Sequence, residues 1–362
     1  MLGEAAHDAA VNLTVLAASS EDAAIATCDD AIIGAPDDPV ALDELCERVD
    51  VVTFDHELVN LDQVADLEAR GVTVRPGAVA LAFAVDKGHQ RRAFDAAGIA
   101  VPRFLVVRSP SDPLLEAFLD EVGLPVVKAA RGGYDGRGVA FPSSREEAIA
   151  AIERFAATSS VVVVEERLTL LAELALVGVR GVDGTFGAYP LVTTVQADGM
   201  CVEVRYPAVV DDGVAGEALW LARKIATLCG AVGVVAVELF LTSRGLLVNE
   251  VALRPHNTAH WTIEGAVDSQ FTNHLLAVSG RGLGSTEPAT RAAVMVNVVG
   301  SGEPGSIDAA RAVVGAHVHD YGKSWRPGRK LGHVTVVGDD GDSAHVTAWE
   351  SARAYGTKTW ET

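Results

Sequence analysis

Glu238 and Glu250 are the side chains best suited to do chemistry in this 362-residue chain. They interrupt two short apolar runs in VVAVELFLTSRGLLVNEVALRPHNTAHW, residues 234–261. The runs flank a Thr-Ser-Arg-Gly turn, which predicts a β-hairpin with a short glycine-containing loop. With Ser243-Arg244-Gly245 as the loop, Thr242 faces Leu246 and Glu238 sits opposite Glu250. Like charges directly opposite each other destabilise a sheet. A divalent cation between them would turn repulsion into coordination, and Mg²⁺ takes one or two carboxylates together with substrate phosphates.

Four further segments carry candidate groups. Lys128 ends a predicted strand and is followed by Arg131-Gly132-Gly133-Tyr134-Asp135-Gly136-Arg137-Gly138. Such glycines can reach φ > 0 and bring backbone N–H groups close to phosphates. The segment lacks both the Walker A spacing and the dinucleotide-binding glycine spacing, so a phosphate loop and a plain hairpin loop both remain open. Val161–Val164 run into Glu165-Glu166, either as an ordinary strand end or as a linker whose backbone meets adenine, with Glu173 nearby for a ribose hydroxyl. Arg254-Pro255-His256-Asn257 leaves the hairpin, with His260 four residues after His256. That spacing suits zinc on a helix, but the H-E-x-x-H glutamate is missing and Pro255 opposes a helix there. The preferred reading gives Asn257 to the metal as an oxygen ligand and Arg254 to an anion. Finally, Lys323, Arg326, Arg329 and Lys330 crowd a turn punctuated by Gly322, Pro327 and Gly328. A solvated basic turn is the simple reading, yet guanidinium forks suit phosphate oxygens and the segment is read as a phosphate site.

The net charge of −20 argues against a general nucleic-acid surface. An anionic small substrate would need a local basic cluster against that field. No apolar run approaches the roughly 18 residues of a membrane span, and the N-terminus lacks the basic-then-apolar pattern of a signal peptide. Cys28, Cys46, Cys201 and Cys229 form no C-x-x-C motif and read as reduced thiols of a cytoplasmic protein.

The elements that must position these groups fall into three parts. Residues 12–18, 30–35, 50–55 and 72–77 read as strands, with helices over 40–49 and 60–70, which implies a parallel α/β sheet. A helix over 86–97 ends at Gly98. A second unit follows: a strand at 104–109, a helix to about Val122, a strand at 124–130, the glycine-rich loop, a helix to about Ala157 and a strand at 160–167. Beyond Leu170 come longer antiparallel strands over 171–181 and 185–196, a helix near Glu217–Cys229, the hairpin, and a β-rich end after about Gly284. The expected domains are 1–84, 85–167 and 168–362.

Five segments in this order resemble the ATP-grasp superfamily: TFDHE at 53–57, DKGHQRRAFDAAGIAVP at 86–102, LPVVKAARGGYDGRG at 124–138, residues 238–261, and YGKSWRPGRKLGHV at 321–334. Within it they look most like the 5-(carboxyamino)imidazole ribonucleotide synthases of purine biosynthesis. The resemblance implies an α/β ATP-grasp ligase that activates bicarbonate with ATP through carboxyphosphate and carboxylates the amine of 5-aminoimidazole ribonucleotide. It assigns Lys87, Lys128, Glu165, Glu166, Glu173 and Asn249 to ATP, and Glu238, Glu250 and Asn257 to Mg²⁺. Tyr134, Arg137, Lys323 and Arg329 would grip the ribonucleotide phosphate. Asp135 would lie near the reacting amine. Arg254, His256 and Asn257 would line the bicarbonate side, with Asp135, Arg254 and Lys323 taken as catalytic. A homodimer is implied by the family alone.

Departures are visible. Members usually begin with a strand and a glycine-rich turn like G-G-G-Q-L, and Met1-Leu2-Gly3 comes just after it, so the expected N-terminal domain lacks its first strand. Leu174-Ala175, Gln196 and Leu253 replace more usual residues. The competing expectations are another ATP-grasp carboxylate–amine ligase and a nucleotide-binding protein without turnover.

Overall fold

The computed structural model describes residues 1–133 and 138–360. It is a mixed α/β fold, with three sheets among the described residues. At the N-terminal end, after a helix at Leu2–Asp8, strands Thr14–Ala17 and Asp30–Ile33 pair in parallel, Thr14 beside Asp30. The strands expected over 50–55 and 72–77 shrink to one parallel bridge between Val52 and Val74. Val52 exchanges both of its bonds there, with Thr73 O and the Arg75 N–H at 2.9 Å each. Polar Asp50 and Asp55 flank the first run, and Pro76 has no N–H to extend the second. The expected helices form at Pro39–Arg48 and Leu61–Ala69, capped by the side chains of Asp38 and Asn60. An unforeseen helix, Ala78–Val85, is apolar all round and carries no periodic signal; it packs Ala80, Phe83 and Ala84 on the main core and Leu81 on the N-terminal unit, leaving Val79 exposed.

The second sheet has four antiparallel strands in the order Phe104–Val107, Val162–Glu166, Pro125–Ala129, Val139–Ala140. Helices Leu115–Val122 and Arg145–Ser159 supply Leu115, Leu119, Ile152 and Phe155 to its core. Every residue of Pro125–Ala129 and Val162–Glu166 is buried, so Lys128, Glu165 and Glu166 lie inside the protein.

The third sheet has nine strands. Its path runs from Gly245–Ala252 through Gly233–Thr242, Ala172–Arg180, Val192–Ala197, Met200–Tyr206, Ala292–Val299 and Lys330–Gly338 to Ala316–Asp320. The run expected as one strand over 185–196 divides into Phe186–Ala188 and Val192–Ala197, around Pro190. Helix Asp212–Cys229 begins earlier than expected, capped by Asp211, and packs Leu221, Ala222 and Ile225 on one face of the sheet. Helix Gln270–Val278 covers the other face. The end of the chain is β-rich as expected, but it closes with a 15-residue helix, Gly341–Tyr355. That helix packs Ala344, Ala348 and Ala352 together with Trp349 and Tyr355 into the core at this end of the sheet.

Candidate active site

The hairpin forms from Gly233–Thr242 and Gly245–Ala252, with Glu238 opposite Glu250. The expected partner is right, but the route differs. Thr242 faces Gly245 rather than Leu246, so the loop has two residues, Ser243-Arg244. The register then shifts between Glu238 and Leu239, which pairs with Val248, leaving Asn249 as the extra residue of a bulge. The shorter loop and the bulge cancel. The bulge also re-aims Asn249: its Oδ1 accepts from Lys128 Nζ at 3.0 Å and its Nδ2 donates to Glu238 Oε2 at 3.2 Å.

A second side-chain layer faces the pair from helix Lys87–Ala96, whose N-cap Asp86 accepts from the His89 N–H. Lys87 and Arg91 are one turn apart and both buried. Lys87 Nζ pairs with Glu250 Oε1. Arg91 donates from Nε to Glu165 Oε1 at 2.6 Å and from Nη2 to the Asn249 carbonyl at 2.6 Å. Lys128 Nζ meets Glu165 Oε2 at 2.8 Å. The resulting network runs Glu250–Lys87 on one side and Glu238–Asn249–Lys128–Glu165–Arg91 on the other.

This arrangement divides the charges unequally. Burial raises Glu238, and the carboxylates of Glu250 and Glu173 push it further, up to about 7. Desolvation works the same way on Glu250, but the Lys87 ammonium outweighs it and the net direction is down. The expected repulsion therefore falls on Glu238, while Glu250 is neutralised by Lys87. Burial would also raise Glu165, yet Arg91 and Lys128 together hold it at about 2. Lys128 itself is lowered by burial in spite of Glu165.

The remaining expected groups separate. Glu166 points away from Glu165, as neighbours on a strand must, and binds Arg103 and Arg244, the latter at 2.7 Å. Glu173 sits on the next strand opposite Phe240, raised by burial. Arg254 Nε donates to Glu57 Oε2 at 2.7 Å. His256 is lowered to about 3 by burial and by Arg254, and so is neutral. Its Nδ1 accepts from the Thr258 N–H, leaving Nε2 facing Glu238 Oε1 at 3.8 Å. The side-chain amide of the adjacent Asn257 is buried with neither atom hydrogen-bonded among the described residues. Two carboxylates and an unused amide oxygen are hard donors that fit Mg²⁺. Zinc finds no such fit: the His260 Nδ1 accepts from Gln270 Nε2 at 2.9 Å, and no group of three His, Cys, Asp or Glu forms a metal site among the described residues.

Known proteins match along the whole length. Residues 92–271 match the ATP-grasp domain, residues 1–85 the ribonucleotide synthetase preATP-grasp domain, and residues 293–347 the phosphoribosylaminoimidazole carboxylase C-terminal domain. The chain is 42% identical over 353 residues to N5-carboxyaminoimidazole ribonucleotide synthase of Mycobacterium tuberculosis, covering 94% of this chain and 82% of that protein. The chain belongs to the N5-carboxyaminoimidazole ribonucleotide synthase family. It is accordingly an ATP-dependent ligase. Solved structures of the family agree in fold. The synthetase of Thermus thermophilus superimposes with a TM-score of 0.89 at 33% identity, over 100% of this chain and 97% of that one. The Aspergillus clavatus synthase, in complex with ADP and 5-aminoimidazole ribonucleotide, gives 0.86 at 28% identity, over 98% and 95%.

Within this family fold the basic segment is the connection between strands Ala316–Asp320 and Lys330–Gly338. Lys323 Nζ lies 5.2 Å from the centroid of the Tyr321 ring, and Arg329 Nη1 donates to Ser324 Oγ at 2.8 Å. Lys330, a cation of the same run, contributes to the lowering of His256 and His260. Tyr134, Asp135 and Arg137 lie outside the described residues. Their flanks are described: Gly132 and Gly138 have φ of 76° and 88°, the left-handed region that favours glycine. Sequence reasoning passed over Arg91, Glu57 and Gln270. For Arg91 a signal existed, since Lys87, Arg91 and Phe94 mark one helical stripe that is buried throughout. Glu57 lies in the recognised TFDHE segment, but nothing local ties it to Arg254, 197 residues away.

Proposed function

We propose that this chain carboxylates 5-aminoimidazole ribonucleotide with bicarbonate at the expense of ATP. A bicarbonate oxygen attacks the γ-phosphorus and ADP leaves. The ribonucleotide's exocyclic amine then attacks the carbonyl carbon of carboxyphosphate, inorganic phosphate leaves, and the amine loses a proton. The observation that carries the reading is the Glu238–Glu250 pair, with Lys87 on Glu250 and Lys128 reaching Glu238 through Asn249, together with the buried Asn257 amide that has no hydrogen bond among the described residues.

Phosphoryl transfer needs chiefly positioning and charge neutralisation. Lys87 and Lys128 serve the ATP phosphates, Glu173 the ribose, and the strand end at Glu165–Glu166 the adenine through its backbone. Glu238, Glu250 and Asn257 would hold Mg²⁺, which would supply positive charge to offset that of the ATP phosphates. Arg254, oriented by Glu57, faces the bicarbonate with neutral His256. Lys323 and Arg329, with Tyr134 and Arg137, take the ribonucleotide phosphate, and Asp135 orients the amine. Carboxyphosphate is labile in water, so the glycine-rich segment that follows Lys128 is assigned to cover it. A homodimer acting in the cytoplasm completes the reading and rests on the family.

The test is ADP release with Mg-ATP and bicarbonate, with and without 5-aminoimidazole ribonucleotide. Release that rises with the ribonucleotide, matched by N5-carboxylated product, is expected. ATP binding without ribonucleotide-dependent release would overturn the proposal in favour of a nucleotide-binding protein without turnover.

A further inference from the structure

A row of aromatic and imidazole rings joins the segment after the hairpin to the basic turn. It starts at Glu264, in the short helix Thr262–Gly265. Glu264 Oε1 accepts from His319 Nε2 at 2.6 Å, with both side chains largely buried. The His319 ring stacks on His333, centroids 4.4 Å apart and planes 12° from parallel. These two residues are direct cross-strand partners, so the sheet itself fixes the stack. His333 Nδ1 and the Tyr321 hydroxyl share a hydrogen bond of 2.9 Å. The Tyr321 ring then lies under the Lys323 ammonium, within cation–π range.

The base of the turn is held on its other side by different means. Tyr355 donates from its hydroxyl to Asp320 Oδ1 at 2.6 Å, and the Tyr321 N–H donates to the Leu331 carbonyl at 2.9 Å. Those bonds fix where the backbone enters the turn. The Tyr321 ring is met by His333 and is linked through the stack to the Glu264–His319 pair.

We propose that Glu264 and His319 are positioning residues for ribonucleotide binding: they lock the His333–Tyr321 array that aims Lys323 at the ribonucleotide phosphate. The inference rests on the reading of Lys323 given above. It makes a distinctive claim, because Glu264 belongs to the element that follows the metal-side segment 254–261, not to the basic turn. A misaligned binding group costs far more than its distance suggests; about 1 Å can be worth on the order of 100-fold.

The experiment measures KM for 5-aminoimidazole ribonucleotide, KM for ATP and ribonucleotide-independent ATP hydrolysis in the full chain. The variants are Glu264→Gln, His319→Asn, Tyr321→Phe, Lys323→Ala and the double variant Glu264→Gln/Lys323→Ala. Glu264→Gln and His319→Asn are expected to raise the ribonucleotide KM about tenfold. They should leave the ATP KM and basal hydrolysis within about twofold, a split that general loosening would not produce. The double variant should be no worse than Lys323→Ala, because contacts acting through one residue are not additive. Additive effects, equal changes in both KM values, or an unchanged ribonucleotide KM while Lys323→Ala raises it, would overturn the proposal. An unchanged KM in Lys323→Ala itself would instead overturn the reading of the turn. Should Glu264→Gln fail to fold, His319→Asn and Tyr321→Phe carry the same comparison.

Discussion

The hairpin and the basic turn hold their charges in opposite ways. At the hairpin, carboxylates and cations stand on neighbouring elements and neutralise one another: Lys87 with Glu250, and Arg91 and Lys128 with Glu165. Each charged head is fixed by a partner of opposite sign in a largely buried setting. At the turn, Lys323 lies over an aromatic ring that is itself held by an imidazole array. The lesson is that a metal-side cluster needs counter-charge to be buried at all, since an unpaired buried ion is costly. Among the described residues, the turn that carries Lys323 draws order from rings and backbone as well.

The largest effect that can break this contrast is expected at the metal pair. Glu238→Gln and Glu250→Gln should each lower turnover by about 100- to 1,000-fold, the range seen when one group stabilising developing charge is removed. Their stabilities should differ. Glu238→Gln removes the raised carboxyl and should leave the ligand-free protein as stable or more so. Glu250→Gln removes the partner of Lys87 and should destabilise it. Thermal unfolding of both at pH 8 checks this, and equal midpoints would mean that Lys87 does not neutralise Glu250.

Next comes Arg91, which touches no proposed substrate. Arg91→Met should destabilise the protein by about 3–5 kcal/mol, the usual loss when one partner of a buried ion pair is deleted. It should also weaken ATP binding, because Glu165, Lys128 and the Asn249 bulge lose a common support. Urea unfolding and a nucleotide titration measure the two effects. By contrast, Lys323→Ala should change stability by no more than about 0.5 kcal/mol, the ordinary range for surface substitutions. A loss at Lys323 as large as at Arg91 would erase the difference between the two regions.

How legible this was follows from the range of each interaction. The opposed glutamates were readable because hairpin pairing is local and arithmetic. The Asn249 bulge was not, since a one-residue loop error and a one-residue bulge cancel at Glu238. The helices over 39–48 and 61–69 announced themselves by caps and periodicity. Ala78–Val85 did not, because a helix made of apolar residues alone has no polar face to set its period. The strand expectations at 50–55 and 72–77 failed where side-chain character was right but the ladder could not propagate past Pro76. Lys87 and Lys128 were singled out from their segments, and the structure places them at Glu250 and Asn249. Arg91 and Glu57 serve partners more than 70 residues away, and single-sequence spacing carries no record of such contacts.

A smaller effect sharpens the metal side. Glu57→Gln keeps the shape beside Arg254 but removes the charge that orients it. Turnover should fall about tenfold, at the lower end of losses for residues that orient a functional group, with ATP binding unchanged. Single-turnover measurements separate the two, and a weakened ATP affinity would place Arg254 on the nucleotide instead.

The ligand-free protein should also show a pH dependence, and its sign is particular. Glu238 is raised from its ordinary 4.5 to about 7, first by burial and then by Glu250 and Glu173. Between these values the native state keeps a proton that the unfolded chain has released. Stability from this group is therefore fully present below about pH 4.5 and is lost as pH rises through about 7, by at most about 3 kcal/mol. Glu165 acts in the opposite sense, held at about 2 by Arg91 and Lys128 against burial. Its contribution is present above about 4.5 and lost as pH falls toward 2, outside the window in which Glu238 titrates. Unfolding midpoints are measured from pH 5 to pH 8 in the presence of EDTA. Over that window His256 and His274, held by burial at about 3 and about 4, add stability as pH rises toward their unfolded value of about 6.5, so Glu238 is read from the difference between wild type and Glu238→Gln. The stability of wild type relative to Glu238→Gln should fall as pH rises across that window, and parallel curves would show that the Glu238–Glu250 pair carries no strain of charge. Added Mg²⁺ and ADP should flatten the wild-type slope alone, because ligands that favour the carboxylate stabilise the form that pH otherwise penalises.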